Sequence, residues 1–293
     1  MGTHLTLENA WEFYNQTVLA DRTKKSQTTE VGRWLHIQEI LGEINVEDIT
    51  VVDGIRIRKE LQNRNLSPQS IHHCLSLLSR VISKSQKSGI YNGETIYFEM
   101  PKFDNRRIRF LSKQEAQQLL LHLRSISDMW ADISYFAIMT GLRAGEIFSL
   151  RISNFDRGNK ILRFYDSKTI QNRVIPLNAK AMLILKKYEK ISNHEHGYFF
   201  VNSEGYKWNQ VSKKFHVAVE ACGFNENITD IREKIVFHSL RHTFASWLVQ
   251  RGVPLQVVSN LLGHKSIKTT ERYAHLAPEQ GRAAVALLSK ISL

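Results

Sequence analysis

The chain has 293 residues, enough for about two domains and an ample hydrophobic core. Its 40 Lys and Arg residues exceed its 28 Asp and Glu residues, and this basic balance favours a polyanionic partner. The excess lies wholly in residues 106–293, which carry 28 basic and 15 acidic residues against 12 and 13 in residues 1–105.

Cysteine usage and hydropathy argue against a disulfide-rich, a secreted or a membrane-spanning protein. The two cysteines, Cys74 and Cys222, lie in apolar helical patterns, which argues against a disulfide framework and indicates a reducing compartment. No apolar run approaches the ~20 residues that span a membrane, and the N-terminus lacks a signal-peptide core. We therefore expect a cytoplasmic protein with no membrane partner, associated with the nucleoid in a bacterium.

Helices are predicted throughout residues 1–100. Thr6 can cap the first, and Ser26 or Thr28 precedes the second. A third is predicted from Val52 to Asn63, and Ser67-Pro68 is a strong start signal for a long fourth helix. These helices predict an N-terminal all-α helical bundle.

Residues 101–109 contain proline and a basic cluster without periodicity, which predicts an interdomain linker. Ser112 and Glu115 then form a capping-box pattern that opens a second domain. A helix from Met129 to Met139 leads to Gly141, and a β-hairpin is predicted between Lys160 and Leu177. With further helices from Asn178 to Tyr188 and from Trp208 to Cys222, this domain is predicted to be α+β, mainly α with a small antiparallel β-sheet.

The stretch from Phe237 to Ala277 concentrates residue types that act on phosphates. His238 and Arg241, three positions apart, share one face of a predicted helix and can point at one anion. Arginine offers a planar charged fork for two phosphate oxygens, which for a well-placed donor is worth ~3 kcal/mol in the transition state. Histidine can pass protons near neutral pH.

Two further groups follow in the same stretch. A second helix is predicted to end at Gly263, which places His264 in the next turn. Ser266 can cap a third short helix that carries Thr270 and Tyr273. A tyrosine, with an ordinary pKa of about 10, becomes a nucleophile only when a neighbour accepts its proton or stabilises the phenolate.

The spacing of these motifs resembles that of the tyrosine recombinases, the phage integrase family. The resemblance rests on HSLRH at 238–242, LGH at 262–264 and TERYAH at 270–275. TGLRAGE at 140–146 is similar to the segment that supplies the family's first active-site arginine. SKT at 167–169, followed by RVIPL at 173–177, is similar to the hairpin that carries its active-site lysine.

The resemblance implies the catalytic roles. Two arginines would grip the scissile phosphate, and a histidine would hydrogen-bond to it. The tyrosine would attack to form a 3′-phosphotyrosine, the lysine would protonate the leaving 5′ oxygen, and another histidine would help to manage the tyrosine's proton. No metal, ATP or other cofactor is implied. In the order of these roles, the residues are Arg143 and Arg241, then His264, Tyr273, Lys168 and His238.

DNA contacts are also implied. Residues 1–100 would be a core-binding (SAM-like) domain that clamps duplex DNA together with a catalytic domain over residues 110–276. Because exposed helix faces are usually charged, a solvated side chain is the alternative for each candidate contact. The candidates are Lys24, Lys25, Arg56, Arg58, Lys59, Arg64, Lys84, Lys87, Arg106, Arg107 and Arg109.

The resemblance implies a homotetramer on DNA. The protein free of DNA could be a monomer, and accessory DNA-bending proteins could take part. Residues 277–293 form an amphipathic tail that either docks on a neighbouring protomer or packs on its own chain. Larger phage integrases carry an additional N-terminal domain, so either this is a two-domain recombinase or that domain is missing from the sequence. The segment 262–279 is more similar to phage or mobile-element enzymes than to chromosome-dimer resolvases.

A metal site on the predicted helix and two other functions are alternatives to this interpretation. His238 and His242, four positions apart, resemble a metal-binding helix, but neither an adjacent glutamate nor a cysteine cluster completes a site, so His242 is interpreted as structural. Glu146 is interpreted as orienting an arginine. A type IB topoisomerase and a non-catalytic DNA-binding regulator remain alternative functions, although an intact set of active-site residues argues against the regulator.

Overall fold

The computed structural model describes residues 5–104, 109–165, 172–191 and 197–278. The chain divides into two compact units, Met1–Asn105 and Arg106–Leu293. Among the described residues, no helix combines the length and the apolar character needed to cross a membrane.

The first unit is helical. Its helices are α1 (Leu7–Tyr14), which continues as a π-helical turn (Asn15–Leu19), α2 (Lys24–Leu41), α3 (Val51–Asn63) and α4 (Pro68–Lys87). They enclose a core in which the rings of Trp11 and Trp34 stack with their centroids 4.8 Å apart. The predicted all-α bundle is confirmed for the described residues of this unit.

The helix starts of the first unit test the capping predictions. The Thr6 hydroxyl caps α1 and the Ser67 hydroxyl caps α4, both as predicted. The start predicted at Ser26 or Thr28 is wrong, because α2 begins at Lys24 and is capped by Thr23. Thr23 has the extended backbone that lets its hydroxyl accept from the Ser26 N–H, whereas the Thr28 hydroxyl donates back to a carbonyl within the helix.

The second unit begins with helices around one apolar core. The predicted capping box of Ser112 and Glu115 is confirmed at the start of α5 (Lys113–Ile126). Helix α6 (Asp128–Thr140) contributes many buried side chains to the core and ends at Gly141 in the left-handed conformation. The short helix α7 (Ala144–Phe148) follows.

A small antiparallel sheet comes next. Strands β1 (Phe155–Asp156), β2 (Ile161–Tyr165) and β3 (Asn172–Pro176) pair in the order β1-β2-β3, and β1 was not predicted. Leu162 opposes Ile175 in the register, and both are buried. The predicted α+β class of this unit is confirmed.

The last elements carry His238, Arg241, His264 and Tyr273. They are α8 (Ala179–Ile191), α9 (Lys213–Ala221), α10 (Phe237–Val249) and α11 (Leu255–Leu262), with 3₁₀ turns at Ile267–Thr269 and Glu271–Leu276. Helix α9 begins later than the predicted start at Trp208, because Ser212 is its N-cap and its hydroxyl accepts from the backbone N–H of Lys214.

The third helix predicted after Ser266 is wrong in type. Its backbone bonds span three residues, as in the bond from the Tyr273 N–H to the Thr270 carbonyl, and the Ser266 side chain makes no capping bond. The tyrosine therefore sits on a tight turn rather than on an α-helix.

We predict that Gly141→Ala lowers the free energy of unfolding by about 1–2 kcal/mol or more, because left-handed backbone disfavours a side chain. Gly141 has a φ of 65°, and an added Cβ would lie 2.4 Å from Cδ1 of Phe244. Urea denaturation measures the effect. Gly145→Ala is the matched control, since its Cβ would meet nothing within 4 Å; equal stability of the two variants would contradict the prediction.

Candidate active site

Arg241 lies at the centre of the candidate site. Its side chain, on α10, is 3% exposed. Nη1 donates to the carbonyl of Gly141 at 2.7 Å and Nη2 to the carbonyl of Leu262 at 2.6 Å. Burial, with a contribution from Arg143, lowers the pKa of Arg241 to about 9, so it stays protonated at neutral pH. The side chain thus joins the TGLR turn to the LGH turn.

Glu146 binds two arginines. It accepts from the backbone N–H of Arg143 at 2.7 Å and from Nη1 of the same residue at 3.2 Å. Arg173, on β3, reaches both of its carboxylate oxygens at 3.0 and 3.2 Å. Burial acts to raise the pKa of Glu146, but Arg173 and the Arg143 N–H outweigh it, so the pKa is lowered overall. The arginine-orienting role expected of Glu146 agrees with this geometry.

Arg173 was not singled out in the sequence. Its Nη1 also donates to the Leu262 carbonyl at 3.1 Å, the acceptor that it shares with Arg241. The side chain lies against Gly263, where an added Cβ would come within 2.4 Å of Nη1. Its place in RVIPL, on the second strand of the hairpin opposite Phe164, was the available signal. Arg173 therefore links β3 to α7 and to the end of α11.

His264 follows the left-handed Gly263 at the end of α11. Its Nδ1 lies 2.8 Å from the hydroxyl of Thr270, which is fully buried. Burial, followed by the positive charges of Arg241 and Arg143, lowers the pKa of His264 to about 4. His264 is therefore a neutral hydrogen-bonding group at neutral pH.

Tyr273 is 6% exposed and packs in an apolar cluster with residues of α10 and α11. Burial raises its pKa to about 12, although Arg272 and Arg241 act in the opposite direction. Its hydroxyl oxygen lies 2.5 Å from Nδ1 of His242. A nucleophile with this pKa needs a proton acceptor, and a histidine nitrogen is already in contact with it.

The two histidines of α10 occupy different environments. His242 is 5% exposed, whereas His238, one turn earlier, is exposed; their rings meet edge to face with centroids 4.8 Å apart. The interpretation of His242 as merely structural omitted its contact with Tyr273. The spacing of four residues, considered only for metal binding, was the signal that could have found it. In the described ranges, no group of three or more His, Cys, Asp or Glu residues is placed to hold a metal ion.

Several predicted site residues lie outside the described residues: Lys168, Arg106, Arg107 and most of the predicted tail. Among the remaining DNA-contact candidates, four basic side chains make local contacts. Arg64 pairs with Glu39 and Glu60, and Arg58 lies 3.5 Å from Glu99. Lys84 lies over the ring of Phe13, and Arg109 pairs with Glu115. The exposed candidates are Lys24, Lys25, Arg56, Lys59, Arg64 and Lys87.

We predict that Arg173→Met lowers the free energy of unfolding by about 3 kcal/mol, because it removes the more buried partner of Glu146. The Arg173 side chain is 15% exposed. Arg157→Met is the matched control: Arg157 pairs with Glu189 but is 58% exposed, so its loss should be below about 1 kcal/mol. Urea denaturation of both variants measures the difference, and equal losses would refute the buried-network interpretation.

We predict that His264 titrates near pH 4 in the folded protein. Because this pKa lies below the ordinary value of about 6.5, the unfolded chain binds more protons between the two values. The free energy of unfolding should therefore fall as the pH drops through this window, and less steeply in His264→Gln. NMR titration of the imidazole and urea denaturation at several pH values provide the measurements. An imidazole midpoint near its ordinary value would contradict the prediction.

The chain is similar in sequence to known integrases and transposases. The integrase of Salmonella phage P22 is 33% identical over 215 residues, which are 70% of this chain and 53% of that protein. The chain thus spans little more than half of that relative's length. Transposase B of transposon Tn554 from Staphylococcus aureus (strain Mu50 / ATCC 700699) is 25% identical over 247 residues, which are 80% of this chain and 39% of that protein.

Solved structures share the fold. The Tn1549 transposon integrase in complex with transposon right end DNA gives a TM-score of 0.80 at 16% identity, covering 97% of this chain and 100% of that one. A lambda integrase tetramer bound to a Holliday junction gives 0.73 at 20% identity, covering 89% and 78%. The sequence model of the phage integrase family matches residues 109–280, more than half of the chain. The chain therefore belongs to the phage integrase family, the tyrosine recombinases.

Proposed function

We propose that this protein is a site-specific DNA recombinase that cuts and rejoins strands through a 3′-phosphotyrosine. The observation that carries the proposal is the position of the buried Tyr273 hydroxyl, which contacts His242, the residue that follows the buried Arg241 on α10. The charges of Arg241 and Arg143 also act on His264. One phosphate diester brought to this cluster would meet its charge stabilisers and its nucleophile together.

Each residue would have one role in the reaction. Arg241 and Arg143 would hold the non-bridging oxygens and stabilise the extra charge of the transition state. His264, held neutral, would donate a hydrogen bond to the phosphate. Tyr273 would attack phosphorus, and Lys168 would protonate the leaving 5′ oxygen. His238 would assist proton transfer. The phosphotyrosine bond retains the energy of the cleaved diester, so rejoining would need neither ATP nor a cofactor.

The substrate and the assembly are part of the proposal. We infer that residues 1–100 are a core-binding domain, that residues 101–109 are a linker, and that residues 110–276 act on duplex DNA. A basic second half supports a DNA partner. The tetrameric lambda integrase on a Holliday junction supports a homotetramer, and the P22 and Tn1549 relatives support an integrase of a phage or mobile element. Such an enzyme would work at the nucleoid.

We predict that the protein forms a covalent adduct with nicked suicide duplexes, without metal or ATP, and that Tyr273→Phe abolishes it. The duplexes would come from a library of host-genome sites that the protein binds by footprinting. Tyr206→Phe, at a tyrosine that is 57% exposed, is the matched control and should retain the adduct. Nuclease mapping should place the link at a 3′ phosphate. Tight binding of confirmed sites without any adduct would overturn the catalytic proposal.

A further inference from the structure

Thr270 is a fully buried threonine whose hydroxyl contacts a ring of the candidate site. Its Oγ1 lies 2.8 Å from Nδ1 of His264. None of the roles proposed above involves this threonine. We propose that Thr270 is a positioning residue: its hydroxyl fixes the tautomer and the orientation of His264, so that the ring presents its Nε2–H to the scissile phosphate.

The hydroxyl of Thr270 is the donor in this contact. A threonine hydroxyl carries one hydrogen, and a buried donor without an acceptor is unfavourable. Within the described ranges, Nδ1 of His264 is the hydrogen-bond partner recorded for Oγ1 of Thr270. If Nδ1 carried a hydrogen instead, the hydroxyl hydrogen would lack an acceptor at a side chain that solvent does not reach. The favoured neutral tautomer therefore leaves Nδ1 unprotonated and places the ring hydrogen on Nε2.

The choice of tautomer matters because His264 is neutral at neutral pH. Burial, followed by the positive charges of Arg241 and Arg143, lowers its pKa to about 4. A neutral imidazole donates through one nitrogen only, whereas an imidazolium donates through both. With hydrogen on Nδ1, the ring would offer a lone pair at Nε2 and would repel a phosphate oxygen there. The Thr270 hydroxyl would thus make His264 a donor to the phosphate.

The backbone of Thr270 belongs to the turn that carries the nucleophile. Its N–H donates to the Ile267 carbonyl at 2.6 Å, and its carbonyl accepts from the Tyr273 N–H at 3.0 Å. The backbone N–H of His264 donates to the Ser259 carbonyl at 3.1 Å, which fixes the start of the same segment. Thr270 is therefore bonded both to the ring that would bind the phosphate and to the backbone of the attacking residue.

The inference rests on the recombinase function proposed above, and three variants test it. Thr270→Val replaces the hydroxyl by a methyl group of similar size, and Thr270→Ser restores a hydroxyl. Thr269→Val is the matched control, at an exposed threonine one residue earlier. Single-turnover adduct formation is measured on suicide duplex saturated with protein. We expect Thr270→Val to slow adduct formation by about 10- to 100-fold, with Thr270→Ser and Thr269→Val close to wild type.

A double-mutant cycle separates the positioning of His264 from a general effect on the fold. His264→Ala removes the ring that the hydroxyl would orient, so Thr270→Val should slow adduct formation no further in that background. The duplex Kd and the urea midpoint of Thr270→Val should stay near those of wild type. A wild type without adduct would refute the recombinase function itself. A wild-type adduct with an unimpaired Thr270→Val, or an equal penalty in both backgrounds, would overturn the role of Thr270 alone.

Nitrogen NMR of labelled histidine tests the tautomer in the protein without DNA, and its wild-type arm depends on no variant. The spectrum of His264→Gln identifies the His264 signals. The proposal requires a neutral ring with hydrogen on Nε2 and an unprotonated Nδ1. In Thr270→Val the two tautomers should mix and the Nδ1 resonance should shift, whereas Thr269→Val should leave it in place. Hydrogen on Nδ1 in the neutral wild-type ring would make His264 the donor and would overturn the proposal.

Discussion

The burial of one guanidinium group constrains the whole candidate site. Removing a charged arginine from water is unfavourable unless its N–H groups meet acceptors. Arg241 meets two carbonyls at helix C-termini, those of Gly141 after α6 and Leu262 at the end of α11. Such carbonyls lack partners within their own helices and carry the negative end of the helix dipole. Both helices end in left-handed glycines, so the backbone turns that create these acceptors also place Arg143 and His264 beside the guanidinium.

The carboxylate at the candidate site has a structural role. Glu146 holds Arg173 and the turn of Arg143, and it is the carboxylate that contacts this network in the described residues. Glu146 pairs with Arg143 and Arg173, whereas within the described ranges the Arg241 guanidinium donates to the neutral carbonyls of Gly141 and Leu262. The cluster therefore keeps an excess of positive charge, which suits a phosphate diester and, after burial, is the second cause of the lowered pKa of His264.

The sequence predicted most of the fold because local signals carry it. Helix starts with clear caps, at Thr6, Ser67 and Ser112, are found where expected. The start of α2 was missed because several adjacent hydroxyl residues can each cap, and only backbone conformation chooses Thr23 among them. The two-residue β1 has too little sequence for a periodicity, since its pairing with β2 is a tertiary event.

The partners of the site were harder to predict than its motifs. A motif names residues that chemistry requires, whereas Arg173 and His242 are defined by what they contact across the fold, 89 residues away at Leu262 and 31 residues away at Tyr273. Sequence spacing reported only that His242 shares a helix face with His238. The turn that brings Tyr273 back to α10 is 3₁₀, and Thr270, which begins it, contacts His264.

Burial of the nucleophile has opposite effects on its resting state and on its reaction. A pKa of about 12 keeps the Tyr273 phenol protonated and unreactive at neutral pH. The same dry setting strengthens the attraction between a developing negative charge and the guanidinium of Arg241, because little water screens it. The stabilisation therefore grows as charge leaves the tyrosine and reaches the phosphate, so the positive cluster acts more strongly on the transition state than on the resting phenol. The proposed strand transfer would use this combination, a nucleophile that is inert until a phosphate lies beside it.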